Sequence, residues 1–167
     1  MGIASAGKGR PMSRIEGSIE IAAPRQAVWN VISDPTRHVE FGTFVREATL
    51  VSEGELGEGT IYREISGPGF MKSASEWTIS TFDPPHELVH TQNGTSMTAK
   101  GTWILEEIDS GSTRVTQTLD FEMMPRFRPL GRLVEALVAN RLGERETARM
   151  LQDVKRISES EAVQEGG

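Results

Sequence analysis

The sequence predicts an α+β fold in which one curved, seven-stranded antiparallel sheet grips a single long C-terminal helix. Three observations carry that prediction. Ile15, Gly17, Ile19 and Ile21 alternate with Arg14, Glu16, Ser18 and Glu20, the period of two expected of a strand with one dry face. Six further strand-like segments follow, and their connections are short enough to favour antiparallel neighbours. Residues 127–158 then form a proline-marked helical run that can cover the dry face. A curved sheet around a helix leaves room for a small apolar ligand between the two layers.

Taken in order, Ala22-Ala23-Pro24 introduces a short helix with Pro24 at its first position and Ala27, Val28, Val31 and Ile32 as its apolar stripe. Asp34-Pro35 ends it and starts a second short helix through His38 to Phe41, with Asp34 as N-cap and Gly42 closing the turn. Strands are expected at Phe44 to Ser52, Gly59 to Ser66, Lys72 to Phe82, Glu87 to Asn93, Ser96 to Glu107 and Thr113 to Glu122. Gly54 to Gly57, Gly67-Pro68-Gly69, Asp83-Pro84-Pro85, Asn93-Gly94 and Ser110-Gly111 supply the turn chemistry between them. In the C-terminal helix Leu130, Leu133, Leu137, Leu151 and Val154 follow three- and four-residue steps, and Asn140, Glu144 and Thr147 interrupt that stripe. Either the polar break lines a cavity, or the inward face turns towards Val138, Arg141 and Ala148.

Composition narrows the classes. The chain has 167 residues, 37% hydrophobic and 25% charged, which fits one domain with a real core. Residues 1–12 read as a disordered leader, 13–158 as the domain and 159–167 as an acidic, frayed tail. Without cysteine there are no disulfides, thiol nucleophiles or thiolate metal sites, and a cytoplasmic setting is expected. A formal net charge of -6 and a pI near 5.2 argue against a nucleic-acid partner. No membrane span is expected, and the oligomeric state is not encoded legibly. Gly54-Glu55-Leu56-Gly57-Glu58-Gly59 lies between strands with no helix to receive a phosphate, so it reads as a turn and no cofactor is expected.

Ile19-Glu20-Ile21-Ala22-Ala23-Pro24, the run Val28 to Pro35, Gly57-Glu58-Gly59-Thr60, Phe82-Asp83-Pro84-Pro85 and Gly111 to Thr116 follow one another along the chain. In this order they resemble the helix-grip fold of the START and birch-pollen-allergen (SRPBCC) superfamily, in particular its polyketide cyclase/dehydrase and lipid-transport branch. The resemblance spans about residues 13–158. These are scaffold motifs, and the superfamily hosts unrelated functions. Where many relatives carry a Trp-x-Pro turn, this chain has Glu40-Phe41-Gly42-Thr43, which implies a different cavity mouth.

Inward-facing residues are the place to look for function. Strand phase puts Met97, Ala99, Gly101, Trp103 and Leu105 on the core side of strand six and Val115, Gln117, Leu119 and Phe121 on that of strand seven. The same argument selects Ser75, Trp77 and Ile79 on strand four and Ile61, Arg63 and Ile65 on strand three. Arg63 is then either a salt-bridged or snorkelling side chain or an anchor for a carbonyl or enolate. Gln117 is either a satisfied sheet residue or a ligand contact, and Trp77 and Trp103 can serve as core and cavity wall at once. His90 shares a face with Leu88 and Gln92 and is a structural histidine or a general base. His38, His86 and His90 are not spaced as a metal motif, and no metal is expected.

The ligand-binding candidates are therefore Arg63, Ser75, Trp77, His90, Trp103, Gln117, Leu137 and Arg141, with Arg63, His90 and Ser75 as candidate catalytic groups. Two functions follow from the resemblance and this lining. The first is binding or transport of a small hydrophobic ligand such as a lipid, polyketide or quinone, which needs no catalytic constellation. The second is a polyketide cyclase or aromatase-type enzyme, in which Arg63 would stabilise an oxyanion, His90 would move a proton and Ser75 would donate a hydrogen bond. A protein-interaction module is a third class, and it would require a large exposed apolar patch.

Overall fold

The computed structural model describes residues 12–67, 70, 72–123, 128–139 and 142–165. The leader expected at residues 1–12 falls almost wholly outside them. Strand β1 (Ser13–Ile21) leads into α1 (Arg25–Ile32), a 3-10 turn (Pro35–Arg37) and α2 (His38–Phe41). Strands β2 (Val45–Leu50), β3 (Ile61–Ser66), β4 (Ser73–Asp83), β5 (Glu87–Asn93), β6 (Met97–Asp109) and β7 (Ser112–Met123) follow, then α3 (Arg128–Ala139) and α4 (Leu142–Glu165). The sheet has the order β1-β7-β6-β5-β4-β3-β2 and every pairing is antiparallel. Each successive strand from β3 to β7 pairs with its predecessor, β2 forms one edge, and β1 forms the other edge against β7.

Local chemistry explains the two short helices. Pro24 sits at the N-cap of α1, one residue earlier than expected, and Ala27, Val28, Val31 and Ile32 are buried together with Trp29. Asp34 caps the 3-10 turn, its carboxylate accepting from Thr36 N at 2.9 Å, with Pro35 as the first turn residue. Gly42 N donates to His38 O at 2.6 Å and ends α2. That turn fixes His38 facing inward, where it is 8% exposed.

Helix α4 lies across β1. Gly17 makes the close approach possible, because a Cβ there would meet Thr147 Cγ2 at 2.8 Å and Leu151 Cδ1 at 2.9 Å. The buried face of α4 steps through Thr147, Leu151, Val154 and Ser158, a 3.6-residue stripe. Its C-terminal half is latched by Arg37, which donates to Glu161 at 2.5 Å, and by Glu159, which accepts from Ala22 N at 2.8 Å. The helix runs on to Glu165, so residues 159–165 continue it where the sequence reads as a tail.

One expectation changes here. The stripe set by Leu151 and Val154 holds back to Thr147 but does not extend into α3, where Leu130 and Leu133 are exposed. The helical run is described as two segments, and two segments need not share one apolar phase. Helix α3 is instead tethered by Glu135, which accepts from Ser13 Oγ at 3.1 Å and from Met123 N at 2.7 Å.

Candidate functional site

Between the sheet and the first half of α4 lies a cavity of about 400 Å³, within the range of small-molecule sites. Trp77, Trp103, Met97, Leu119 and Met150 give it apolar walls, and Phe41, Gly42 and Thr43 form part of its rim. That rim is the segment whose sequence departs from the relatives' Trp-x-Pro turn. Gly101 faces the cavity from β6, and a Cβ placed on it would meet nothing within 4 Å. Its cross-strand neighbours are His90 on β5 and Leu119 on β7.

The expected phases of β4, β5, β6 and β7 hold, so Trp77, His90, Trp103 and Gln117 all line the cavity. Strand β3 has the opposite phase. Tyr62 and Glu64 are buried at 2% and 8%, whereas Arg63 points away from the cavity with a side chain 57% exposed, 3.7 Å from Glu76. The register explains this: Tyr62 pairs with Trp77 and Arg63 with Glu76, and residues directly opposite share a face. A slip of one residue inverts every side chain, and Ile61 and Ile65 suggested the wrong face. Arg63 is therefore a surface ion-pair residue and cannot anchor a ligand in this cavity. Ser75 does not line it either; its Oγ accepts from Trp77 Nε1 at 3.0 Å and holds the indole that does. The side chain of Leu137 and all of Arg141 lie outside the described residues.

In place of Arg63 the fold assembles four polar groups. His38 Nδ1 stands 2.5 Å from Glu64 Oε1 in a buried contact. Tyr62 Oη and His90 Nδ1 are 2.9 Å apart, also buried. The two histidine rings meet edge to face with centroids 5.6 Å apart, and His38 and Tyr62 do so at 5.4 Å.

Burial sets the protonation of the second pair. Desolvation, with a contribution from Glu64, pushes the Tyr62 phenol well above its ordinary value, so it stays protonated. Desolvation, and then the neighbouring His38, push His90 down to about 3, so its ring is neutral near pH 7. If Tyr62 O–H donates to His90 Nδ1, only His90 Nε2–H is left buried without a partner. The reverse arrangement would orphan the phenol proton as well, and each orphan costs about 1–3 kcal/mol. The first arrangement is favoured, and it makes His90 Nε2–H an unused donor.

Gln117 Oε1 is likewise buried without a hydrogen-bond partner, so Gln117 is not the satisfied sheet residue it could have been. From α4, Thr147 lines the cavity as one reading of the polar break expected, while Glu144 and Ala148 are exposed. His38, Tyr62 and Glu64 are the groups that sequence reasoning missed. The i, i+2 set Thr60, Tyr62 and Glu64, all buried, was the available signal for the true phase of β3.

Among solved structures, a Zhui aromatase/cyclase from a Streptomyces species matches with a TM-score of 0.70 at 20% identity, covering 89% of this chain and 94% of that one. A START superfamily protein from Mycobacterium smegmatis matches with a TM-score of 0.62 at 10% identity, covering 90% and 97%. An uncharacterized protein of Mycobacterium tuberculosis is 24% identical over 127 residues, 72% of this chain and 84% of the relative. Residues 12–159 match the family described as polyketide cyclase / dehydrase and lipid transport. With a seven-stranded sheet gripping a C-terminal helix, the chain belongs to that family, within the START and birch-pollen-allergen-like superfamily.

Proposed function

We propose that this protein binds one small, largely apolar molecule carrying a neutral oxygen function, held between the sheet and α4. The observation that supports this most is the combination, in one apolar cavity, of an unused buried donor at His90 Nε2 with an unused buried acceptor at Gln117 Oε1. Leaving such groups unpaired is costly, and a ligand oxygen or hydroxyl would satisfy them. The family's association with lipid transport and the START neighbour agree with a carrier or sensor role. A lipid, a polyketide or a quinone-like ring would each suit apolar walls with one polar end.

A second reading, action on a poly-ketone chain, is favoured by the aromatase/cyclase neighbour together with the His38–Glu64 and Tyr62–His90 pairs inside the cavity. Native mass spectrometry of the purified protein, followed by extraction of any retained molecule, tests the binding reading. A stoichiometric neutral apolar compound, displaced in Gln117→Leu with His90→Phe, is the expected result. Retention unaffected by those changes would contradict it.

A further inference from the structure

We propose that this protein docks peripherally on an anionic phospholipid surface, through the outward face of α3 and the apolar side chains around the cavity mouth. The observation that carries this is that α3 lies with its polar side inward. Glu135 turns towards the sheet and accepts from Ser13 Oγ and Met123 N, whereas Pro129, Leu130, Leu133 and Ala136 are exposed. At about 3.6 residues per turn, Leu133 stands about 160° and Leu130 about 140° around the helix from Glu135. The tether that holds α3 to the sheet thus aims both leucines outward. A surface helix normally buries such a stripe, and one left outside marks a face that meets a second apolar phase. At 12 residues α3 is too short to cross a bilayer and long enough to lie in its surface.

The same end of the sheet gathers further apolar groups. Ser66 at the end of β3 pairs with Ser73 at the start of β4, and the connection between them carries Phe70, which is 96% exposed. Phe44 and Leu142 are among the exposed apolar residues and also line the cavity, so they belong to the outer surface and the mouth together. Docking through this face does not depend on which ligand the cavity holds.

Charge selects the partner. Residues 126–145 include five arginines against two glutamates, in a chain whose formal net charge is -6. Lys72, just past the Phe70 turn, and Arg145, three residues after Leu142, are exposed. Acidic groups gather at the opposite end of the sheet, where Glu53, Glu55, Glu58, Asp83 and Asp109 are exposed in or beside the strand connections. A contact between two copies through the α3 face would set like charges against each other. The head groups of an anionic bilayer pair with the basic groups, while its acyl boundary takes the leucines and phenylalanines.

The test is flotation of the full chain with vesicles of phosphatidylcholine alone and of phosphatidylcholine with about one-third phosphatidylglycerol, alongside sedimentation equilibrium without lipid. The expected result is binding to the anionic vesicles and little to the neutral ones. Affinity for the anionic vesicles should fall about tenfold or more in Leu130→Ser with Leu133→Ser, and about tenfold in Lys72→Ala with Arg145→Ala. Both leucines are exposed, so the first variant should melt near the wild type, and Ile108→Ser, exposed at the opposite end of the sheet, should float as the wild type does. A wild type that floats with neither vesicle, or equally with both, overturns the proposal. Flotation unchanged in the folded leucine variant overturns it too. A lipid-free dimer that the leucine variant dissociates would assign the face to a second copy of this chain and overturn the lipid surface as its partner.

Discussion

The two ends of the space between sheet and helix are built on opposite principles. At one end, α1, the far halves of β6 and β7 and the second half of α4 bury Val28, Trp29, Leu105, Val115 and Val154 almost completely. Thr113 Oγ1 donates to Ala23 O at 2.9 Å there, while Ser158 Oγ on α4 is buried without a partner, so what sets this end apart is its close packing. At the other end the same sheet turns His90 and Gln117 inward with atoms unpaired, and Gly101 leaves open space opposite His90. Filling the second end as the first is filled would stabilise the domain. The void, with His90 and Gln117 in its lining, is what makes this end the candidate site.

The largest effect should come from breaking the packed end. Trp29 is 4% exposed and packs edge to face on Phe82 with centroids 5.3 Å apart. Trp29→Ala is expected to cost about 3–5 kcal/mol in urea unfolding, through lost burial and a residual cavity. A loss below about 1 kcal/mol would show that this end is less tightly packed than described.

An intermediate effect separates the ends by pH. His90 titrates in the unfolded chain near 6.5 but in the fold only near 3. Between those values the unfolded state holds the extra proton, so stability present above pH 6.5 is lost as pH falls, on the order of 1 kcal/mol per unit. Replacing both Tyr62 and His90 by Phe removes the titration without leaving an orphan partner. Urea midpoints between pH 7 and pH 5 should fall more steeply in the wild type than in this double variant; equal slopes would mean that His90 is not held neutral by burial.

The smallest effect sharpens the comparison by omission. Arg63→Ala, on the outer face, should change stability by less than about 0.5 kcal/mol and leave ligand binding unaltered. A large loss of binding in calorimetry would place Arg63 back at the cavity.

The packed end was legible in the sequence and the polar end only in part. Alternation on β1, β6 and β7 is written in unambiguous apolar residues, so Ile21, Leu105 and Val115 could be assigned to the core from period alone. Strand β3 offers no such contrast, because Ile61 and Ile65 on one face compete with Tyr62 and Glu64 on the other. Its phase is fixed by the register against β4, and a one-residue ambiguity in the Gly67 to Lys72 connection is enough to invert it. The His38–Glu64 contact joins residues 26 apart through a short helix packed on the sheet, a tertiary fact with no local signature. Helical periodicity likewise found Leu151 and Val154, yet could not tell that its phase stops short of α3.

The most direct test uses the open space at Gly101. A leucine there would project into the cavity beside His90 without touching the packed end. Calorimetric titration of 1-tetralone into wild type and Gly101→Leu, with melting temperatures recorded for both, should show binding weakened about tenfold to a hundredfold, the ~1–3 kcal/mol typical of overpacking a filled site, in a variant that melts within a few degrees of the wild type. Equal affinity in the two folded proteins would mean that the ligand does not occupy this cavity, and would contradict the account.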